Sequence, residues 1–437
     1  MNDKGNPEDF EEFMRRFLAG QSGIDPEKFA EAAGLPQDPE ALAAMLDQLK
    51  NAMGSLSADK ATSGVNWDLA VNQAKTIART GAKAITDDAR RAIQDAIAIG
   101  SLWLNEKTAL AEIVGDPKLL TRELWVADAM PLFQALSQPV ANRMSDALAE
   151  NLSNNAPEEL AQLLGDAGNI MRTAGGALFA MQLGQALGKL SQEVLSGGDI
   201  GLPIFKDQRS AFLPQNLVTF ITESDVEPDQ AYIYLVIREM AHARLFRHSK
   251  WLRDAVVSLI STYAAEISID SSRIAEIAEG IDEENMDDLR RAFESGAFIA
   301  ERTEHQQNAL NNIETLLALI EGWVDVVTEE ATRRLPRAAA ISEAIRRRRA
   351  TGGPAEATFG TLVGLELRPR RLREAAAMWK QIGEQLGIEK RDSLWNHPDV
   401  LPTGDDIDDP KALIGRLRDA AVGPDAFDQA LRDLLGE

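Results

Sequence analysis

The residues with the most informative chemistry sit together at Arg238-Glu239-Met240-Ala241-His242. With histidine at the first of these positions the run would read H-E-x-x-H, a helical zinc motif. Side chains four residues apart lie one turn apart on the same helix face, so two imidazoles at that spacing reach one metal ion. The glutamate beside the first can then take a proton from metal-bound water. Here the first position is Arg238, whose guanidinium stays protonated and has no lone pair to give a metal. The run therefore points to a metal centre, an altered metal centre, or a helix that keeps only the motif's shape.

A pair of acids elsewhere has the same spacing. Leu316-Leu-Ala-Leu-Ile-Glu-Gly-Trp-Val-Asp-Val-Val327 is apolar except for Glu321 and Asp325. Facing inward on such a helix, these carboxylates need a cation, which can be a metal, an arginine or a lysine. The remaining histidines are His248, His305 and His397. His248, six residues beyond His242, points away from it on a continuous helix, and each lone histidine reads first as a structural or surface residue.

The elements that must position these groups are mostly helical in pattern. Tyr234, Leu235, Ile237, Ala241 and Leu245 make the motif helix apolar on most sides, while Arg238, Glu239 and His242 share one sector of it. Two charges and an imidazole on a buried helix mark either a polar site or an ion-pair network. Upstream, Trp67, Leu69, Ala70 and Ala74 start one stripe. Thr86 is the N-cap of another helix, and a further one begins at Thr121. Gly184 and Gly188 share a helix face, where small residues let a second helix approach closely; a phosphate loop would need a preceding strand and a following Lys-Ser/Thr. Gly197-Gly-Asp-Ile-Gly-Leu-Pro breaks the helical pattern, and Asn216-Leu-Val-Thr-Phe-Ile221 reads as a short strand. Asp225 and Glu227 place acids near the start of the motif helix, as the helix dipole favours.

Composition bounds the function. The 437 residues carry a formal net charge of −23 and are 44% hydrophobic, with no cysteine and three tyrosines. A mostly α fold is expected. Disulfides, thiol catalysis and cysteine-bound metal are excluded. The acidity argues against nucleic acid and anionic membranes as general partners. The charged start of the chain has no apolar signal region and no apolar run nears the ~20 residues of a membrane helix, so a cytoplasmic protein without a membrane span is expected. One stretch reverses the charge: residues 333–373 hold eleven Arg against three Glu. These arginines can form an anion patch, or pair with the acidic remainder; the second reading is favoured. Four regions are drawn: a loosely attached acidic segment 1–63, a helical region 64–200, a core 201–332 carrying the motif helix and the Glu321 helix, and an Arg-rich helical region 333–437. Oligomeric state is not legible.

Several segments in one order resemble a bacterial family of zincin-like hydrolases, labelled zinc-dependent metalloproteases. They are Val65-Asn-Trp-Asp-Leu-Ala, Gly176-Ala-Leu-Phe with Gly184-Gln-Ala-Leu-Gly, and Arg238 through Leu252. Leu319-Ile-Glu-Gly-Trp-Val-Asp325, Gly352-Gly-Pro-Ala-Glu-Ala-Thr-Phe, Leu362 through Ala376 and Leu394-Trp-Asn-His-Pro-Asp-Val-Leu-Pro-Thr403 continue the match, which spans Val65 to about Lys411. The resemblance implies a mostly α, zincin-like fold with a small edge sheet before the motif helix and helical regions on either side. It implies Glu239 as general base, His242 and Glu321 as zinc ligands, and Asp325 as the acid behind His242. Arg238 departs from the pattern, at the place of the first histidine ligand. The expectation is a metallopeptidase-like hydrolase with an altered site, in which zinc is weakly held or absent and Arg238 fills the cation position beside Glu321 or Glu239. The alternative is a non-catalytic binding or scaffolding protein for a peptide or protein ligand.

Overall fold

The computed structural model describes residues 65–155, 161–224, 226–267, 302–351, 360 and 370–421. The 1–63 segment, Asp225 and the Gly352-Gly-Pro354 loop lie outside the described residues. The described chain is mostly helical, with one two-stranded parallel sheet in which β1 (Lys118–Leu119) pairs with β2 (Ala211–Phe212). All of it belongs to one compact unit.

Local signals start the helices as their chemistry requires. Asn66 and Thr86 accept the backbone N–H groups of Leu69 (3.0 Å) and Ala89 (3.2 Å), capping helices Trp67–Arg79 and Asp87–Asn105. The glycines of helix Ala161–Glu193 serve packing. A Cβ at Gly184 would lie 2.6 Å from the Ala70 carbonyl oxygen, and one at Gly188 would lie 2.7 Å from Ile77 Cβ. Helix Trp67–Arg79 therefore rests directly on that glycine face, against its own buried Ala70, Ala74 and Ala78.

One expectation is corrected. Residues 216–221 are not a strand but part of helix Pro214–Glu223. Pro214 sits in the first turn, where its missing N–H costs nothing. The apolar pattern that resembled a strand is the buried face Leu217 and Ile221, one turn apart. Asn216 ties this helix down through its side-chain amide, which donates to the carbonyls of Ser191 (2.9 Å) and Val194 (2.6 Å). The strand that does precede the motif helix is β2, only two residues long, and its other edge is used by the Gly-rich loop. Gly197 N–H donates to the Ala211 carbonyl (2.9 Å), and Leu213 N–H donates to that of Leu195 (3.0 Å).

Three helices build the centre. The motif helix spans Pro228–His248, and every residue from Tyr234 to Phe246 is buried. The acid helix, Glu304–Ala331, opens on a reciprocal cap between Thr303 and Gln306 and is buried without a break from Leu316 to Thr328. The arginine helix, Ala338–Thr351, carries Arg346, Arg348 and Arg349. Behind the acid helix, Trp323, Trp379 and Trp395 pack together, with ring centroids of the last two 5.4 Å apart. Buried Asp392 there accepts from Trp323 Nε1 (2.8 Å), Arg391 Nε (2.8 Å), Thr108 Oγ1 (2.6 Å) and Ala109 N (2.8 Å). A carboxylate with four donors joins segments far apart in sequence and holds the acid helix in place.

Candidate functional site

The motif helix and the acid helix meet with Arg238 against Glu321. A guanidinium nitrogen, Nη2, donates to Glu321 Oε2. Glu321 is 0% exposed and Arg238 5%, so each ion depends on the other. Burial alone would raise the Glu321 pKa, but the charges of Arg238 and Arg349 and the bond from His242 overcome it and hold the carboxyl well below the usual range. Arg238 moves the other way for the matching reason: burial opposes its charge, and the Glu321 carboxylate more than restores it.

His242 faces the same centre. Its Nε2 lies 3.2 Å from Glu321 Oε1 and its Nδ1 lies 3.1 Å from the Arg238 carbonyl oxygen. Burial, reinforced by the positive charge of Arg238, lowers the pKa of the imidazole although Glu321 pulls it upward. A neutral ring has one N–H for two acceptors, and the charge-assisted bond to the carboxylate favours the proton on Nε2.

Glu239 is turned elsewhere. Its Oε2 accepts the Gly198 N–H (2.8 Å), its Oε1 accepts the Ala211 N–H (2.9 Å), and the Ser196 side chain adds a third bond. Burial pushes its pKa up to about 7 against these three donors. The Glu239 carboxylate thus satisfies backbone groups of the Gly-rich loop and of β2, which a buried loop could not otherwise leave dry. It bonds to that loop rather than to Arg238, His242 or Glu321.

The loop closes over the whole constellation. A Cβ at Gly198 would fall 2.4 Å from His242 Cβ, and one at Gly197 3.0 Å from Glu239 Oε1. Gly201, at φ +75°, lies where a Cβ would be 2.8 Å from Glu321 Oε1. Residues 194–205 are all buried. Polar anchors hold them: Arg348 bonds to Asp199 and to the Glu193 carbonyl (2.6 Å), and Arg253 donates to the carbonyls of Pro203 (3.1 Å) and Ile204 (3.0 Å).

Asp325 does not stand behind His242, and that expectation is corrected. Both ring nitrogens of His242 face other groups, and Asp325 accepts from Arg346 Nε (3.2 Å) and Nη2 (2.5 Å). One helical turn beyond Glu321, its carboxylate is met by the arginine helix before it can reach the imidazole. His248 bonds to Asn396 Oδ1 (2.7 Å), while His305 and His397 are exposed, so none of the three joins the centre.

Sequence reasoning missed Arg349 and Asp199. Arg349 Nη2 lies 3.7 Å from Glu321 Oε1, with Arg349 only 6% exposed. Of the arginine run, Arg346, Arg348 and Arg349 each meet a different buried acid, namely Asp325, Asp199 and Glu321. The signals were the Gly197-Gly-Asp-Ile-Gly break and the arginine run, whose partners no spacing could assign.

As a donor set for zinc, the centre falls short. A catalytic zinc takes three protein ligands and a water. His242 and Glu321 converge, but the third position holds a guanidinium bonded to Glu321, and both oxygens of Glu239 are engaged by backbone. Among the described residues, no cluster of three or more His, Cys, Asp or Glu side chains is placed to hold a metal.

The motif helix and the later acid helix thus bring a histidine and a glutamate together, with an arginine between the helices. The zincin-like metallopeptidase family matches residues 65–414, and the chain belongs to that family. Among solved structures it is similar to the crystal structure of "a putative hydrolase with a novel fold" from Chloroflexus aurantiacus. That match has a TM-score of 0.55 and 19% identity and covers 81% of this chain and 99% of the other. At that identity the likeness is one of fold. No curated protein matches the chain.

Proposed function

We propose that this protein is a metallopeptidase-like hydrolase homologue whose metal site is altered, with Arg238 in the place of the first histidine ligand and no zinc-dependent proteolysis. The observation that carries this reading is the buried bond from Arg238 to Glu321, which commits the Glu321 carboxylate to a protein cation. Residual hydrolysis, if retained, would fall to Glu239 as base, with His242 and Glu321 polarising the substrate. The engagement of both Glu239 oxygens by Gly198 and Ala211 weighs against that role. The function that fits a retained frame with such a centre is binding or scaffolding of a peptide or protein ligand. Nucleic acid fits less well: the chain carries a net charge of −23, and three arginines of its basic run face buried acids. No described helix is long and apolar enough to cross a membrane.

Elemental analysis of protein purified without chelator or affinity tag tests the reading. The expected content is well under one zinc per chain. One zinc retained through dialysis and lost in His242→Ala would overturn it.

A further inference from the structure

We propose that Arg349 is the second half of a two-guanidinium group that supplies the charge of a divalent cation at Glu321, so that replacing Arg238 does not by itself free this site for metal. The inference rests on the altered-site reading above and adds to it a residue from a different helix.

The geometry divides the Glu321 carboxylate between two cations. Arg238 Nη2 takes Oε2, whereas Oε1 faces Arg349 Nη2 at 3.7 Å and His242 Nε2 at 3.2 Å. Both guanidiniums are buried, and the charges of both act on the fully buried carboxylate. A divalent ion carries two positive charges, and one guanidinium restores only half of that. Arg349 supplies the other half.

Two of its neighbours on the helix are held at other acids. Arg346 is bonded to Asp325 and Glu329, and Arg348 to Asp199 and the Glu193 carbonyl. Each is thereby held at its own acid, three and one residues before Arg349 on the same helix, and the helix delivers the last cation to Glu321. Asp199 lies within the field of Arg349 as well as of Arg348, which lessens the repulsion among the guanidiniums. The consequence is chemical. Completing the H-E-x-x-H pattern by Arg238→His supplies the missing imidazole, but a metal entering between His242 and Glu321 still meets a fixed positive charge on the Oε1 side. Changes just outside a metal's ligands typically alter affinity by ~10–100-fold, and a buried like charge belongs at that scale.

The test is zinc affinity of the full chain, measured by competition with a chromophoric chelator at pH 7.5, with cobalt substitution as a second readout. Five proteins are compared: wild type, Arg238→His, Arg349→Met, Arg238→His/Arg349→Met and Arg238→His/Arg349→Lys. Wild type and Arg349→Met are expected to hold no stoichiometric metal. Arg238→His should bind weakly, and its combination with Arg349→Met should bind one zinc at least tenfold more tightly. The cobalt form of that double variant should show the strong visible absorption of a tetrahedral site. The Lys double variant keeps the charge and should stay within about threefold of Arg238→His. Where Met at 349 prevents folding, Gln is used in its place, since it removes the charge and keeps a polar group at Glu321. Equal zinc affinity in Arg238→His and in the neutral double variant would overturn the role of Arg349 and leave the altered-site reading intact. Absence of zinc binding in every variant would instead sink that reading, because Glu321 and His242 would then not be ligand positions at all. One zinc per chain in the wild type would overturn both.

Discussion

Replacing Arg238 with methionine removes a buried charge while keeping most of its apolar length, and so isolates the ion pair at the centre of the fold. Glu321, fully buried, would lose the guanidinium on Oε2 and keep Arg349 at 3.7 Å and His242 at 3.2 Å. Two unit charges about 4 Å apart attract by roughly 4 kcal/mol at an effective dielectric of about 20. Stranding one partner of a buried pair typically costs ~3–5 kcal/mol. Because Arg349 remains, the expected loss is near the lower end, about 3 kcal/mol, read from urea unfolding followed by circular dichroism at pH 7. Two companions sharpen the test. Arg91→Met removes a guanidinium that is 66% exposed and pairs with Asp88 along its own helix turn, and should change stability by no more than about 0.5 kcal/mol. Adding Glu321→Gln to Arg238→Met removes the stranded charge while leaving an acceptor for Arg349, and should recover at least about 1 kcal/mol. The deficit of Arg238→Met should also shrink as pH falls, because protonating Glu321 relieves it. An Arg238→Met loss below about 1 kcal/mol, or a double variant less stable than either single one, would refute the pairing argument.

Further outcomes follow from neighbouring groups. Glu239 has a folded-state pKa of about 7, raised by burial above its unfolded value near 4.5. Its contribution to stability is therefore full below the unfolded pKa and is lost as pH rises toward 7. Glu239→Gln should flatten that part of the pH–stability curve by up to ~3 kcal/mol, and identical slopes in the two proteins would contradict it. His242, with its pKa lowered by burial, acts in the opposite sense: its contribution is present above the unfolded value and is lost on acidification through the folded one. His242→Gln should therefore lose less stability than the wild type between pH 6.5 and pH 5, as urea midpoints would report. Gly198→Ala sets a Cβ 2.4 Å from His242 Cβ and should cost at least ~1–3 kcal/mol, whereas Gly415→Ala, on an open helix face, should be neutral or stabilising by up to ~1 kcal/mol. Thermal melts that rank the two glycine variants the other way would show that the loop does not press on the imidazole.

The sequence by itself determined that the chain is mostly helical, that Arg238, Glu239 and His242 share a buried helix sector, and that Glu321 needs a cation. These follow from properties local to a helix: a period of 3.6, residues four apart on one face, and the cost of burying a charge alone. The same local rules placed Gly184 and Gly188 on a packing face and marked Gly197-Gly-Asp-Ile-Gly as a break. They failed at Asn216–Ile221, where Leu217 and Ile221 fit either a short strand or one face of a helix, and where Pro214 and the Asn216 bonds to distant carbonyls decide for the helix. They failed again at Asp325, because spacing along one helix says nothing of what packs against it. Only the tertiary structure decided which cation met which acid. Arg346, Arg348 and Arg349 meet Asp325, Asp199 and Glu321 across 21, 149 and 28 positions of sequence, and Glu239 turns to Gly198 and Ala211. Charge pairing is non-directional and every arginine carries the same guanidinium, so the choice among partners falls to the helices that carry them.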